Sequence, residues 1–482
     1  MEAAPESQLT PLRRMPASGL SVLWATLALA AGAFLRVWML KKFFQINGDM
    51  LLYGDLGKNL LLHGQFAFSE VHGTLHATLI RLPGYPLFLA LCFGLFGMEN
   101  YFAVSVAQIG LELAGCLLLA DFVRSIAPLA LKRRAALATL WLAALCPFTA
   151  SYAPAPLTEA PTLFAIALAL WSLARFHARP GWGPAVCFTA AVTYAALLRP
   201  DGALLAVALA PALVLRAAKE RGPSAQRHLA RMALVCALLA LAPFAAWTWR
   251  NWQVFRVFQP LAPRTAADPG EDTYPGWERW TRTWCLDFDC TYEVYWNVPG
   301  DVLDLKALPS RAFDSPAQYT ETAVLAAAYN AGGRELSPDL DARFARLAAA
   351  RVAAHPLRYN LWLPLGRLAD MWLRPRVENL PIDLDWWVYA RHRAETRFSW
   401  AWAGLNALYL LLGVAGLGMR PHFWPWMLAY MALRSVLLLT VGAPEARYTL
   451  ECFPMLFALG GIAVAGGWGK VGAWLNGLFA ER

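Results

Sequence analysis

The chain has 482 residues, 58% hydrophobic and 16% charged, with a formal net charge of +9. Soluble domains carry about 25% charged residues, and here the apolar excess falls in long runs, which excludes an ordinary water-soluble enzyme and predicts an all-α polytopic membrane protein. The basic excess sits in short segments between those runs, with no interleaved aromatic stripe, which favours membrane lipids as partners and argues against nucleic acid.

Apolar runs lie near residues 19–40, 83–98, 101–123, 135–153, 157–176, 183–198, 203–216, 232–249, 399–419, 422–441 and 452–476. About ten to twelve transmembrane helices are expected, each needing about 20 apolar residues. The first run follows Arg13 and Arg14 and reads as a retained helix rather than a cleaved signal. Arg13/Arg14, Lys132–Arg134, Arg175/Arg179 and the run from Arg216 to Arg231 are cytoplasmic by the positive-inside tendency.

These anchors impose a parity. Residues 19–40 run outward, so 41–82 form a first extracytoplasmic loop. Only one of 83–98 and 101–123 can then cross. The short run 83–98 opens with Pro83-Gly84-Tyr85-Pro86 and reads as a helix embedded in the outer leaflet. Residues 250–398 form an extracytoplasmic segment. It holds an amphipathic helix near 339–354 and a weaker one at 357–373, whose crossing the sequence leaves open. The organisation expected is a transmembrane catalytic module over 1–249, the polar segment 250–398, and closing helices over 399–482.

Six of the eight cysteines fall in apolar runs and read as small buried hydrophobes. Cys285 and Cys290 sit in polar sequence and are candidates for a local disulfide if that segment is exported.

Four polar clusters converge on the expected outer side. Asp49 directly follows the first helix, with Tyr53 four residues on along the same helical face. Asp55 lies about 240° around from Asp49 and forms no chelating pair with it. A carboxylate at Asp49 can deprotonate an acceptor hydroxyl; the bland alternative is an interfacial or helix-capping acid. Arg81 precedes the rigid Pro-Gly-Tyr-Pro turn and suits a phosphate headgroup, or simply snorkels to lipid. Glu159 opens an apolar helix, where the helix dipole alone accounts for it. Functionally it would be a second acid facing the cavity of Asp49. Arg199, Arg250, Arg447 and Tyr448 lie near outer helix ends, and with Arg81 they resemble a phosphate or pyrophosphate site.

His72 and His76 have an i,i+4 spacing that can hold a metal on a helix, with His63 nearby, but Gly73 and Thr74 weaken that helix. No phosphate-binding Gly-rich loop, dinucleotide fingerprint, nucleophile elbow or HExxH occurs. Any reaction must therefore draw on an activated substrate, and a divalent metal is possible but not required.

In these residues the chain resembles the GT-C superfamily of membrane glycosyltransferases, in the family 39-like branch similar to bacterial protein mannosyltransferases and the aminoarabinose transferases that modify lipid A. The resemblance rests on Asp49, Tyr53 and the following GKNLL; on Arg81 to Pro86; on Glu159; on Leu197 to Pro200; on Pro243 to Asn251; and on Arg447 to Pro454. It implies a polyprenyl-phosphate sugar donor used at the periplasmic face of a bacterial inner membrane. Asp49 would be the base and the reaction inverting. Tyr53, Arg81, Tyr85, Arg199, Arg250, Arg447 and Tyr448 would bind substrate or phosphate, and Glu159 would position the acceptor or a metal. Sugar and acceptor, whether lipid, protein or glycan, stay open. The alternative is a multi-pass transporter or flippase of lipid-linked sugars, against which stands the lack of paired inverted halves.

Overall fold

The computed structural model describes residues 19–70 and 72–480; Arg13 and Arg14 lie outside the described residues. The described part opens with α1 (Gly19–Phe43) and α2 (Asp49–His63). A small antiparallel hairpin of β1 (Ala67–Ser69) and β2 (Leu75–Ala77) follows, with Phe68 opposite His76, then α3 (Gly84–Phe96). The body continues through α4 (Tyr101–Ile126), α5 (Lys132–Ala144), the single turn α6 (Pro147–Ala150) and α7 (Glu159–Ala178). After these come α8 (Trp182–Leu198), α9 (Ala203–Ala217) and α10 (Pro223–Phe255). The polar segment folds into α11 (Pro275–Thr281), α12 (Phe288–Cys290), α13 (Pro316–Ala331), α14 (Pro338–Ala354) and α15 (Leu363–Leu373). Helices α16 (Arg393–Gly418), α17 (Trp424–Leu438) and α18 (Phe453–Ala480) close the chain.

Among the described residues, seven segments are long and apolar enough to cross a membrane: Ser21–Phe43, Tyr101–Ile126, Glu159–Ala178, Pro200–Ala217, Pro223–Phe255, Arg393–Gly418 and Ala446–Gly467. Three runs expected to cross form shorter helices, α5, α8 and α17, of 13, 17 and 15 residues. Pro147 cannot continue an unbroken helix, so α5 ends at Ala144 and the chain resumes as α6. The 13 residues of α3 and 11 of α15 extend about 20 and 16 Å at 1.5 Å per residue, short of a hydrocarbon core of about 30 Å. Helix α3 packs along α2.

The main core is built where α7 lies between α4 and α8, with α5, α9 and α18 around it. Many of its members are alanines, among them Ala165, Ala167, Ala169, Ala191 and Ala458. Small side chains let helix backbones approach closely where lipid gives no hydrophobic drive. One charge pair lies inside this packing and departs from the expectation that charges stand at helix ends. Arg36 Nε donates to Glu112 Oε2 at 2.9 Å, and Nη1 donates to Ala144 O at 2.6 Å. The guanidinium thus joins α1 to α4 and takes up a carbonyl that α5 leaves open at its end.

A second core lies within the polar segment, formed by Trp277, Trp280, Trp284, Tyr329 and Phe344. The expected amphipathic helix there is α14, whose start is capped by Ser337 Oγ accepting from Leu340 N. Cys285 and Cys290 are joined in a disulfide, with Cα atoms 5.8 Å apart.

Candidate active site

Asp49 is the first residue of α2, where a carboxylate is favoured by the exposed helix N–H groups. Gly48 makes the approach possible: its φ of 50° lies in the left-handed region that costs glycine least. The loop carrying Arg81 is brought in at Gly84, where an added Cβ would stand 2.6 Å from Leu197 O. That close approach seats the Pro83-Gly84 turn against the end of α8, directly before Arg199. Glu159 starts α7, Arg199 caps α8, and Arg447 and Tyr448 lie on the 3-10 turn Ala446–Cys452 that enters α18.

These elements bring five of the expected charged groups into one ion-pair network, with Tyr53, Tyr85 and Tyr448 packed against it. Arg81 Nη2 donates to Asp49 Oδ1 at 2.8 Å, and Arg447 Nη2 donates to Asp49 Oδ2 at 3.4 Å. Arg447 Nη1 is 3.6 Å from Glu159 Oε1, and Arg199 Nη1 donates to that same oxygen at 3.4 Å. Arg199 also lies over the Tyr448 ring at 5.1 Å, and Arg81 lies over the Tyr53 ring at 5.8 Å. Tyr53 meets Tyr85 edge-on, with ring centroids 5.1 Å apart. Tyr85 itself is fully buried and donates its hydroxyl to Gln108 Oε1 at 2.7 Å, which sets the wall against which Tyr53 rests.

The network contains four groups that helix-end reasoning did not single out. Glu445 clamps Arg447, 2.6 Å from its Nε, and accepts from the Tyr448 hydroxyl. Asp201 and Glu451 flank Arg199 Nε at 3.4 and 3.2 Å. Arg434, fully buried on α17, contacts both acids: Asp201 at 2.9 Å and Glu451 at 2.7 Å. Glu451 lies inside the Arg447 to Pro454 motif, and Asp201 and Glu445 stand just beyond the ends of motifs already in view; Arg434 lies within an apolar run and carries no motif signal.

Arg250 stands outside this ion-pair network. Its Nη1 donates to Thr78 O at 2.7 Å and its Nη2 to Phe66 O at 2.6 Å, with Phe66, Trp247 and Phe255 rings around it. The guanidinium ties both ends of the β1–β2 hairpin to α10. Asp55 is likewise structural, accepting from Ser69 N and Ser69 Oγ at 2.6 and 2.8 Å.

Asp49 keeps 31% of its side chain exposed, whereas Glu159 is buried with Oε2 lacking a hydrogen-bond partner. Burial works to raise the Asp49 carboxyl, but Arg81 and Arg447 outweigh it and hold the group below the usual carboxylate range. The acid is therefore ionised, and an ionised acid can accept a proton from an incoming hydroxyl. Three guanidiniums, those of Arg81, Arg199 and Arg447, contact Asp49 and Glu159 and disfavour a divalent cation between them. Among the described residues, the carboxylate and histidine groups close enough to share an ion lie elsewhere, at His76/Asp268/Glu271 and Asp383/Asp385/His392. His76 is on β2, so the helical His72–His76 pairing does not form.

Residues 78–247, roughly a third of the chain, match the sequence family described as dolichyl-phosphate-mannose-protein mannosyltransferase. Over that stretch the chain is similar to these membrane mannosyltransferases. The matched stretch includes Arg81, Tyr85, Glu159 and Arg199; Asp49, Arg250, Arg447 and Tyr448 lie beyond it. Among solved structures, the chain is similar to ArnT from Cupriavidus metallidurans in the apo state, at 14% identity and a TM-score of 0.39, covering 93% of this chain and 78% of that one. The same protein bound to undecaprenyl phosphate gives 14% identity, a TM-score of 0.34 and the same coverage. No curated protein sequence matches.

Proposed function

We propose that the chain transfers a glycosyl group from a polyprenyl-phosphate sugar to an acceptor hydroxyl at the extracytoplasmic face of a bacterial inner membrane. Asp49 takes the proton of the acceptor hydroxyl as its oxygen attacks the anomeric carbon, with inversion. The bond from that carbon to the phosphate oxygen breaks, and the lipid phosphate leaves with the electron pair. Arg81 and Arg447 stabilise the leaving phosphate, with Arg199 behind them. Preorganised cations in a water-poor cleft supply several kcal/mol to such a step. Glu159 Oε2, buried and without a protein partner, is available to a substrate hydroxyl.

The observation that carries this reading is the shared coordination of Asp49. Both of its oxygens face guanidiniums that come from different parts of the chain. A purely structural acid at a helix start needs neither. The charge balance gives the arrangement a direction. The network holds five carboxylates, Asp49, Glu159, Asp201, Glu445 and Glu451, against four guanidiniums, Arg81, Arg199, Arg434 and Arg447. An arriving phosphate therefore competes with Asp49 for Arg81 and Arg447. Donor binding frees the base it needs.

The test is transfer by purified protein in liposomes given radiolabelled undecaprenyl-phosphate mannose or undecaprenyl-phosphate aminoarabinose and a membrane-lipid or peptide acceptor. Sugar transfer with release of undecaprenyl phosphate, lost in Asp49→Asn, is the expected outcome. Movement of the labelled lipid between leaflets with no transfer identifies a flippase instead and overturns the reading.

A further inference from the structure

Next to the Asp49 network lies a second polar group with no assigned role. It sits where α15 gives way to the linker 374–392. Arg374 has only 1% of its side chain exposed and donates Nη2 to Leu384 O at 2.7 Å. Two carboxylates face the rest of its guanidinium without reaching it: Asp370 Oδ1 is 3.8 Å from Nη1, and Glu378 Oε1 is 3.7 Å from Nε. Both separations exceed hydrogen-bond range. Four buried atoms are thereby left without hydrogen-bond partners: Arg374 Nε, Asp370 Oδ2, and both oxygens of Glu378. The Glu378 side chain is itself only 9% exposed. Buried polar atoms are paired in the great majority of folded proteins, so four together on three neighbouring side chains mark a place built to hold something.

The chemistry of the four atoms narrows the ligand. One is an N–H donor and three are carboxylate oxygens. A metal ion or an ammonium would leave the Arg374 N–H unserved and would be repelled by its charge. An anion would be repelled by the two carboxylates. Hydroxyl groups donate and accept at once and fit all four. Burial pushes the Asp370 carboxyl up to about 7, against the pull of Arg374, so near neutrality this acid can offer either a proton or a lone pair.

The position fixes which hydroxyls these are. Arg376 Nη1 donates to Ala446 O at 2.6 Å, beside Arg447, and Asn379 Nδ2 donates to Ser151 O at 3.4 Å. Buried Tyr152 lies in the combined field of Glu378, Arg447, Glu159 and Glu445. The linker is therefore bonded to the turn that carries Arg447, where the donor phosphate is placed above. The group covalently next to that phosphate is the sugar.

We propose that Asp370, Arg374 and Glu378 bind hydroxyls of the sugar being transferred, as specificity-determining contacts of the donor; this rests on the glycosyl-transfer reading above. The experiment measures affinity of the purified protein for undecaprenyl phosphate, undecaprenyl-phosphate mannose and undecaprenyl-phosphate aminoarabinose, in wild type, Asp370→Asn and Glu378→Gln. At least one sugar-bearing lipid should bind wild type about 10-fold more tightly than undecaprenyl phosphate, a difference of ~1.4 kcal/mol. Each variant should narrow that ratio to about threefold or less and leave the sugarless affinity unchanged. Deoxy analogues of the tighter lipid, tested on wild type alone, should lose the same ratio and need no variant to fold. A ratio that persists in both variants and for every deoxy analogue overturns the proposal. So does a wild type that does not distinguish the three lipids, or a loss equal for sugar-bearing and sugarless lipids. Failure of wild type to bind undecaprenyl phosphate at all would instead remove the glycosyl-transfer reading and this one with it.

Discussion

Arg447 Nη2 stands 3.4 Å from Asp49 Oδ2, although 398 residues separate them in the chain. The start of α2 and the turn before α18 are thus held together by a carboxylate–guanidinium contact, and the same guanidinium reaches Glu159. With Arg81 on its other oxygen, Asp49 is held ionised below the usual carboxylate range. On the proposed mechanism, replacing it by Asn removes the base and at the same time frees Arg81 of its carboxylate, while Glu445 and Glu159 still hold Arg447. Transfer should fall by about 10²- to 10⁴-fold, the usual contribution of a positioned base. Affinity for undecaprenyl phosphate should rise about 10-fold, as Arg81 becomes free for a charge-assisted hydrogen bond to phosphate and Arg447 loses one of its competing carboxylates. Titration of wild type and variant with that lipid checks this; equal or weaker binding by the variant removes the competition between carboxylate and phosphate.

Asp370 makes a pH prediction with a definite sign. Its folded pKa, raised chiefly by burial to about 7, lies above the unfolded value of about 3.9. Between those values the folded state keeps a proton that the unfolded state has lost. Stability contributed by this group therefore falls as pH rises from about 4 to 7, and is lowest above that. Asp370→Asn should raise the melting temperature at pH 8 more than at pH 5. Melting curves in detergent at both pH values measure it; an equal shift at the two places the ionisation elsewhere.

Arg434 joins α17 to Asp201, Glu451 and the Tyr448 carbonyl, the last at 2.8 Å. Arg434→Met leaves the buried Glu451 and the partly buried Asp201 facing Arg199 alone, and breaking a buried pair such as Arg434–Glu451 costs about 3–5 kcal/mol. The variant should melt markedly lower and bind undecaprenyl phosphate more weakly, because Arg199 is drawn fully onto its own acids. Adding Glu451→Gln should recover part of both losses. A double variant no better than Arg434→Met would show that charge balance is not what Arg434 provides.

Arg250 offers a contrast. Its guanidinium is taken up by the carbonyls of Phe66 and Thr78. Arg250→Gln should lower the melting temperature and expose the linker around the β1–β2 hairpin to protease. In folded protein, affinity for undecaprenyl phosphate should stay within about threefold, well under the factor of ten expected from losing a charged hydrogen bond to phosphate. A larger loss would return Arg250 to the phosphate site.

Much of the site was legible because its residues stand at helix starts and ends, where apolar runs meet polar sequence. Asp49, Arg81, Glu159, Arg199 and Arg447 were placed on one side by charge parity, and they meet in space. What parity cannot supply is pairing. Glu112 and Arg434 sit inside apolar runs and become intelligible only with their partners, Arg36 from another helix and Asp201 with Glu451 from two turns. Arg250 followed the same helix-end pattern as the others, yet its neighbours are carbonyls of a hairpin too short to read from periodicity. The linker at 374–392 has neither period nor motif, so its orphaned carboxylates appear only once the chain is folded. The run 135–153 reads as one helix in the sequence, and Pro147 splits it into α5 and α6.

On the proposed function, Arg81 and Arg447 receive a lipid phosphate beside Asp49. The most direct measurement is an electron cryomicroscopy structure of the full chain with undecaprenyl phosphate in a nanodisc. Phosphate density at about 2.7–2.9 Å from both guanidiniums, with Asp49 withdrawn from at least one of them, is the predicted result. Phosphate bound away from both arginines, with the Asp49 contacts intact, would contradict it.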